Sequence, residues 1–175
     1  MTGRTYPEEP VDSFPAPPET FTDGEGRTVT VEASGLADFE ALVEMYEAFD
    51  PADRAQGIPP IQEAAIRDWL DALLSEDSVN VVAGHDGRLV GHAVLVPDDQ
   101  DGYELAVFVL NEYQGAGIGT HLLEGLLGQG QREGVEKVWL TVERWNAPAI
   151  TLYEKLGFER TDVESFELEM AVRLS

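Results

Sequence analysis

The feature that most constrains this chain is Val109-Leu-Asn-Glu-Tyr-Gln-Gly-Ala-Gly-Ile-Gly-Thr-His-Leu-Leu, where an apolar run ends and three glycines precede a run of leucines. These glycines are Gly115, Gly117 and Gly119. Glycine lets a backbone approach a ligand closely, and the start of a helix presents unpaired N–H groups and the positive end of its dipole. The segment predicts a strand, a turn and a helix that form an anion site; a glycine-rich turn without a ligand is the alternative.

Two familiar phosphate loops do not match this segment. A Walker loop needs Gly-Lys-Ser/Thr, and the pair Gly119-Thr120 lacks the lysine. The dinucleotide fingerprint Gly-x-Gly-x-x-Gly does not fit the spacing of the glycines, and it belongs to an opening strand rather than to a late one. The anion site is therefore of another kind.

Hydrophobic periodicity and turn residues predict the remaining elements. The predicted strands cover 28–33, 80–84, 89–96, 103–109, 138–142 and 166–173, and the predicted helices cover 38–49 with Asp38 as N-cap, 60–74 beginning at Pro60, 117–133 and 147–156. Asp86-Gly87 predicts a tight hairpin turn. The strand-helix-strand crossover over 103–142 requires one parallel pair, so the sheet is expected to be mixed.

The first 26 residues differ from the rest. They hold five prolines and show neither helical nor strand periodicity, which is typical of an extended or flexible arm. From Arg27 to Ser175 there is no repeat and no second linker, so residues 27–175 are expected to form one folded domain.

Charge excludes one class of partner. Eleven Lys plus Arg stand against 34 Asp plus Glu, a net charge of −23, so nucleic acids and anionic membranes would be repelled. Only two of the cations are lysines, and the carboxylates are spread along the whole chain. This pattern favours adaptation to molar salt, where screening weakens repulsion between like charges. An acidic surface that attracts a polycationic partner is the alternative, and both can hold.

Other classes find no support. The chain has no cysteine, and its three histidines are too scattered for a metal site, so no metal is predicted. The longest apolar run, 105–110, is too short to cross a bilayer, and the N-terminus lacks the layout of a signal peptide. A cytoplasmic protein without membrane association is the expectation.

Two blocks of sequence carry a family resemblance. Gln114-Gly-Ala-Gly-Ile-Gly119 is similar to the Gln/Arg-x-x-Gly-x-Gly/Ala signature of the GCN5-related N-acetyltransferases (GNAT), and Asn146-Ala-Pro-Ala-Ile-Thr-Leu-Tyr-Glu-Lys-Leu-Gly-Phe158 resembles that family's Asn-x-x-Ala-x-x-Leu-Tyr-x-x-x-Gly-Phe motif. The resemblance covers about Thr28 to Arg173. It implies an α/β fold in which a single domain holds a mixed, mostly antiparallel sheet flanked by helices.

The resemblance also implies a cofactor, acetyl-CoA, and the residues that hold it. Gln114 and the backbone N–H groups at the start of the glycine-rich helix would bind the pyrophosphate, and Asn146 would bind coenzyme A through its side chain or simply cap the next helix. The backbone N–H groups are those of Gly115, Gly117, Ile118, Gly119 and Thr120. The backbone of Val107, Phe108 and Val109 would pair with the pantetheine arm.

Two side chains are expected to carry the chemistry of acetyl transfer to a primary amine by direct attack. Tyr153 would donate a proton to the departing thiolate, because a phenol with a pKa of about 10 stays protonated at neutral pH; a tyrosine that only packs on the sheet is the alternative. Glu104 would be the general base, directly or through water, because a carboxylate among apolar neighbours can have a raised pKa. A solvated carboxylate is the alternative for Glu104, and Glu143 is the reserve base.

The acceptor is left open between a protein lysine, a protein N-terminus and a small amine. The segment Tyr103-Glu-Leu-Ala-Val-Phe-Val109, and Met45-Tyr-Glu-Ala-Phe followed by Asp50-Pro-Ala-Asp-Arg54, resemble protein lysine acetyltransferases of the Pat type. A homodimer is compatible with the family. The rival interpretation is a non-catalytic regulatory module that binds acyl-CoA.

Overall fold

The structure is a computed structural model that describes residues 4–50, 59–163 and 166–175. Its strands form one eight-stranded sheet in the order β1-β2-β3-β4-β5-β6-β8-β7. The elements in chain order are β1 (Glu19–Thr22), β2 (Thr28–Ala33), α1 (Phe39–Glu47), α2 (Glu63–Leu73), β3 (Val79–His85), β4 (Arg88–Pro97), β5 (Tyr103–Val109), α3 (Ile118–Arg132), β6 (Lys137–Glu143), α4 (Ala147–Lys155), β7 (Glu159–Val163) and β8 (Glu167–Arg173). Among the strands of the described residues only β5 and β6 pair in parallel, which confirms the predicted mixed, mostly antiparallel sheet.

The predicted hairpin joins β3 to β4. Asp86 has φ 54° and Gly87 has φ 82°, so both central residues of the turn are left-handed. This is the arrangement of a two-residue turn whose twist matches that of the flanking strands. The Asp-Gly pair in the sequence is thus sufficient to place the turn.

Helices cover both faces of the sheet. On one face α3 packs so closely on β4 that a Cβ atom at Gly91 would lie 2.6 Å from Leu122 Cδ1. The next residue, His92, points to the other face, where its ring contacts Tyr46 of α1. Because side chains alternate along a strand, positions 91 and 92 point to opposite faces of the sheet. One face is covered by α3 and the other by α1.

Two strands were not predicted. β1 has the sequence ETFT and β7 has the sequence ERTDV, and neither shows an apolar alternation. Both are edge strands of the sheet. An edge strand is held by main-chain hydrogen bonds on one side, so its side chains need not form a buried face.

Two boundaries also differ from the prediction. The second helix begins at Glu63 rather than at Pro60, and a short 3₁₀ turn, Leu36–Asp38, precedes α1. Asp38 stands at the N-cap position of α1, but its carboxylate accepts a hydrogen bond from Ser34 Oγ at 2.8 Å instead of capping the helix. Most of the loop expected over 50–59 lies outside the described residues, as does the part of the Pat resemblance at 51–54.

The proline-rich segment lies along α3. A Cβ atom at Gly128 would stand 2.5 Å from the carbonyl oxygen of Pro15, so α3 has glycine where this segment crosses it. Further along, the N–H of Gly24 donates to Ala116 O at 2.9 Å, next to the glycine-rich turn. The segment therefore reaches the predicted anion site from the far end of α3.

Candidate active site

The candidate site is formed at a gap between the two parallel strands, β5 and β6. Paired positions of β5 and β6 are Tyr103 with Val138 and Glu104 with Trp139. Beyond them the remaining residues of both strands line a cleft of about 300 Å³. A gap between parallel strands leaves main-chain groups of both edges without a strand partner, so the cleft offers hydrogen-bonding groups to a ligand.

The register with β4 shows which main-chain groups of β5 face the cleft. The N–H of Leu110 donates to Val90 O at 2.9 Å, and hydrogen bonding to one neighbour alternates along an antiparallel strand. The main chain of Phe108 therefore faces β4, whereas that of Val107 and Val109 faces the gap. The Phe108 ring lines the cleft on the α1 face.

The glycine-rich turn opens α3 as predicted. Gly115 and Gly117 have φ of 71° and 90°, values that favour glycine. The N–H of His121 donates to Gly117 O at 3.3 Å, so the amides of residues 118–120 precede the first bond of the helix and lack an intrahelical acceptor. No side chain caps this helix. Its N-terminus can therefore accept an anion.

Gly119 is explained by neither backbone strain nor packing. Its φ is not left-handed, and a Cβ atom there would meet nothing within 4 Å. A side chain would instead project into the open space at the start of α3. This space next to the free amides fits a phosphate group.

Gln114 holds the turn to the cleft. Its Nε2 donates to Val109 O at 2.9 Å, and the residue is otherwise exposed. The bond occupies one of the main-chain acceptors at the end of β5. Gln114 thus positions the glycine-rich turn, and its exposed amide lies at the mouth of the cleft. We call the gap-facing edge of β5 together with residues 114–120 the cofactor side.

Tyr153 of α4 lies in the same cleft. Its ring is half-buried and packs against Phe158, with ring centroids 5.8 Å apart. Burial raises the pKa of Tyr153 to about 12, so the phenol keeps its proton at neutral pH. Packing on the sheet and proton donation are both compatible with this position.

Asn146 caps α4. Its Oδ1 accepts a hydrogen bond from the N–H of Ala149 at 3.3 Å, which is the ordinary role of asparagine at a helix start. The side chain also lines the cleft. The cap uses the side-chain oxygen, so it does not exhaust the hydrogen-bonding capacity of the amide.

Three glutamates line the cleft: Glu104, Glu143 and Glu167. Glu143 and Glu167 are paired positions of β6 and β8. Burial is the main cause that raises the pKa of Glu104; Arg4 lowers it, and Asp98 and Glu167 raise it further. A carboxylate with a raised pKa is a better proton acceptor than an ordinary one.

Aromatic rings close the cleft on the α1 face. Phe108 makes edge contacts with Trp69, Tyr46 and Phe49, at centroid distances of 5.4, 5.6 and 6.2 Å, respectively. We call these rings and the three glutamates the acceptor side. The Pat resemblance places residues 45–49 on the substrate side. Sequence reasoning did not assign Trp69 or Glu167 to the site, because only the packing of α2 and β8 brings them to β5.

A buried hydrogen-bond chain supports these rings. Asn80 Nδ2 donates to Leu73 O at 2.9 Å, so its Oδ1 accepts from His92 Nε2 at 2.7 Å. The Nδ1 of His92 then accepts from the Tyr46 hydroxyl at 2.6 Å. Burial lowers the pKa of His92 to about 3 and raises that of Tyr46, so both groups are neutral.

The sequence-predicted residues thus meet around one cleft and one turn. Glu104, Glu143, Asn146 and Tyr153 all line the cleft, and the glycines stand at the start of α3. Within residues 4–50, 59–163 and 166–175 no group of three His, Asp or Glu side chains is arranged to hold a metal ion. Across the same ranges, no helix has the length and apolar character needed to span a membrane.

The model of the acetyltransferase (GNAT) family matches residues 40–158, which include α3 and the residues that line the cleft apart from Glu167. The chain belongs to the GNAT family. The expected fold class, a single GNAT domain with helices on a mixed sheet, is therefore confirmed.

Curated relatives match parts of the chain. An uncharacterized N-acetyltransferase of Mycobacterium tuberculosis is 35% identical over 89 residues, covering 50% of this chain and 57% of the relative. The [ribosomal protein bS18]-alanine N-acetyltransferase of Escherichia coli is 34% identical over 90 residues, covering 50% of this chain and 60% of the relative. The matched region is thus little more than half of either relative.

Solved structures support the same fold. The GNAT domain of S. lividans PAT superposes with a TM-score of 0.74 at 18% identity, over 90% of this chain and 97% of that one. The putative acetyltransferase yncA of Salmonella typhimurium, solved with acetyl-CoA, gives 0.66 at 23% identity, over 84% of this chain and 94% of that one. At these identities the likeness shows the architecture alone.

Proposed function

We propose that this protein transfers an acetyl group from acetyl-CoA to a primary amine. The observation that carries the proposal is the continuity of the site. The free amides of residues 118–120 and the gap-facing edge of β5 lead into a cleft that contains Tyr153 and Glu104. A ligand with a phosphate at one end and an extended chain that hydrogen-bonds like a strand fits this geometry.

On this proposal coenzyme A is held largely by main-chain groups. The amides of Gly115, Gly117, Ile118, Gly119 and Thr120 would receive the pyrophosphate. The main chain of Val107 and Val109 would pair with the pantetheine arm, while the Phe108 ring would border it. Gln114 and Asn146 would add side-chain amides at the mouth of the cleft and at the start of α4. When bound, the thioester supplies the acetyl group.

Glu104 and Tyr153 would move the protons. An amine reaches neutral solution mainly as an ammonium ion with a pKa of about 10, so one proton must leave it before it can react. Glu104 would accept that proton, directly or through water, and Glu143 is the reserve. Tyr153 would give its proton to the departing sulfur, which its raised pKa permits because the phenol is protonated beforehand.

The acceptor would carry positive charge. Glu104, Glu143 and Glu167 line the cleft of a chain whose net charge is −23, so cations are attracted to it. The Pat resemblance favours a protein lysine, and the relative named for ribosomal protein bS18 favours a protein N-terminus. We propose a peptide lysine as the first acceptor to test, and reaction at molar salt, where the dispersed acidic surface is screened.

The experiment is an acetyl-transfer assay in molar KCl, read by product mass. The acceptors are a lysine peptide with a blocked N-terminus, the same peptide with arginine for lysine and a free N-terminus, and a panel of small amines. Replacement of a hydrogen by an acetyl group adds about 42 Da. A product of this mass from the first peptide supports a lysine acceptor, and one from the second peptide supports an N-terminal acceptor. A product from a small amine supports a metabolite acceptor.

Binding of acetyl-CoA is measured in parallel by calorimetry. Binding without any product would support the non-catalytic acyl-CoA-binding module. Absence of both binding and product would overturn the proposed function.

A further inference from the structure

The N-terminal segment is bound to the end of β8 that pairs with Lys137, opposite the end where Glu143 and Glu167 pair. Val11 N–H donates to Arg173 O at 2.9 Å, and Arg173 Nε donates in return to Pro7 O at 2.8 Å. Further along, the N–H of Phe14 donates to Gln131 Oε1 at 2.8 Å. Because these bonds join the segment to β8 and to the end of α3, residues 4–14 have a defined path past this end of the sheet.

The path ends with Arg4 over β6. Its guanidinium carbon lies 3.3 Å from the centre of the Trp139 ring, and its Nε lies 3.3 Å from Glu169 Oε1. The Arg4 side chain is 31% exposed, so this contact is partly sheltered from solvent. Stacking on an aromatic face combined with a carboxylate contact is an arrangement that arginine forms well because its cation is planar.

Trp139 and Glu104 are neighbours. They are paired positions of the parallel strands, and side chains at paired positions point to the same face of a sheet. That face carries His92 and α1, since Glu104 stands opposite Val96 in the register that puts Phe108 opposite His92. Arg4 therefore lies on the same face of the sheet as Glu104, over the neighbouring strand β6.

Two acidic groups oppose Arg4 at Glu104. Asp98 approaches from the loop after β4 and Glu167 from β8, and both carboxylates raise the pKa of Glu104, whereas Arg4 lowers it. From β6, Glu143 lines the same cleft. Burial, Asp98 and Glu167 favour the protonated form of Glu104, which cannot accept a proton, and the charge of Arg4 favours the ionised form.

We propose that Arg4, held over Trp139 beside Glu104, is a positioning residue whose charge favours the ionised form of Glu104. This rests on the proposed function, in which Glu104 takes the proton from the amine. Arg4 does not touch the reacting atoms. It acts on Glu104 through space, from a site fixed by Trp139 and Glu169.

The test compares three variants of the full chain. Arg4→Gln removes the charge and keeps a polar side chain, while Arg4→Lys keeps the charge and loses the planar stack. Arg132→Gln is the matched control, because it removes one exposed cation from the last turn of α3. Circular dichroism and thermal melting check that each variant is folded at the salt concentrations used.

The first readout is the titration of the Glu104 carboxyl by ¹³C NMR on glutamate-labelled protein, with the resonance assigned by its loss in Glu104→Gln. We expect Arg4→Gln to raise the pKa of Glu104 by about half a unit in 0.1 M KCl, and by less in 2 M KCl because salt screens the charge. Arg4→Lys should restore most of the shift, and Arg132→Gln should leave the titration unchanged.

The second readout is the pH profile of kcat/KM. Since the base acts only when ionised, a higher pKa of Glu104 moves the acidic limb of the profile to higher pH by the same amount. Loss of a merely structural contact would lower the rate at every pH without moving the limb. An equal shift in the titration and in the limb supports the inference.

The two proposals fail in different ways. An unchanged Glu104 titration in Arg4→Gln, in a wild-type protein that turns over, overturns the role of Arg4 and leaves the proposed function standing. A shifted titration in a protein that acetylates no amine supports the electrostatic link between Arg4 and Glu104 and overturns the proposed function.

Discussion

The cofactor side of this cleft consists mainly of main-chain groups, whereas the acceptor side consists of side chains. The cofactor side consists mainly of main-chain groups from one continuous stretch, which runs from the end of β5 through the glycine-rich turn into α3. The acceptor side consists of side chains from several separate elements: the rings of Tyr46, Phe49, Trp69 and Phe108 and the carboxylates of Glu104, Glu143 and Glu167. Main-chain donors tolerate many side-chain changes, whereas a constellation of side chains does not.

The difference predicts how each side can be broken. Added bulk should damage the cofactor side, because its function depends on open space beside backbone N–H groups. Removal of a functional group should damage the acceptor side, because its function depends on proton transfer. Affinity for acetyl-CoA and turnover should therefore respond to different substitutions.

Tyr153, where the two sides meet, should give the largest effect. We expect Tyr153→Phe to lower kcat by about 100-fold or more, in the range of general acid catalysis, with little change in the Kd of acetyl-CoA. Steady-state kinetics and calorimetry measure the two quantities. Tyr103→Phe is the matched control, since it removes a hydroxyl from the start of β5. Unchanged turnover in Tyr153→Phe would remove the phenol from the mechanism.

Glu104→Gln tests the acceptor side alone. We expect kcat/KM to fall by about 10- to 100-fold and its acidic limb to disappear, because the variant has no carboxylate to protonate. The raised pKa of Glu104 means that activity in the wild type is lost as pH falls through that value. Glu143→Gln is the control. If Glu143→Gln caused the larger loss, the reserve base would take the place of Glu104.

Gly119→Leu tests the cofactor side alone. The Kd of acetyl-CoA should rise by about 10-fold, roughly the effect of losing one good hydrogen bond to a charged group. The melting temperature should not fall, since nothing in the protein lies within 4 Å of the added Cβ and leucine favours helix more than glycine. Gly119→Ala should have a smaller effect on Kd, and Gly35→Ala, at another open position, should have none. Equal Kd values across the series would contradict a ligand at the start of α3.

The buried chain under the acceptor side should give the smallest effect on activity and a distinct effect on stability. The pKa of His92 is about 3 in the folded protein and about 6.5 when unfolded, so the unfolded state binds the extra proton between these values. The free energy of unfolding should therefore decrease as pH falls below about 6.5, by up to about 1.4 kcal/mol per pH unit from this group.

His92→Gln should remove that dependence, because its amide can donate to Asn80 and accept from Tyr46 without titrating. Denaturant unfolding at several pH values between 4 and 7 measures it. The same slope in variant and wild type would show that other groups control the acid sensitivity.

The regions that were predicted well are those whose conformation is local. The glycines at 115 and 117 need left-handed backbone, Asp86-Gly87 makes a tight turn, and Asn146 caps α4. Each of these depends on a few consecutive residues, so a short motif is enough to indicate it. The family resemblance added the link between the two motifs, and the family model later confirmed it.

The regions that were missed are those held by distant partners. β7 and β1 are edge strands whose short sequences carry no apolar alternation. The insertion of β8 between β6 and β7 brings Glu167 to the cleft. No residue spacing in the sequence predicts this strand order. Residues 1–26 were expected to form an arm, and nothing in their sequence indicated that β1 would form there or that Arg4 would stack on Trp139.

By itself, the sequence determined the secondary structure around the glycine-rich turn and the crossover that makes β5 and β6 parallel, and it predicted an anionic ligand for the turn. Only the tertiary structure decided which charges surround Glu104. The reason is physical: backbone conformation and helix starts depend on neighbours in the chain, whereas the ionisation of a carboxyl depends on burial and on charges that approach through space. For Glu104 these charges come from Arg4, Asp98 and Glu167, from three separate parts of the chain.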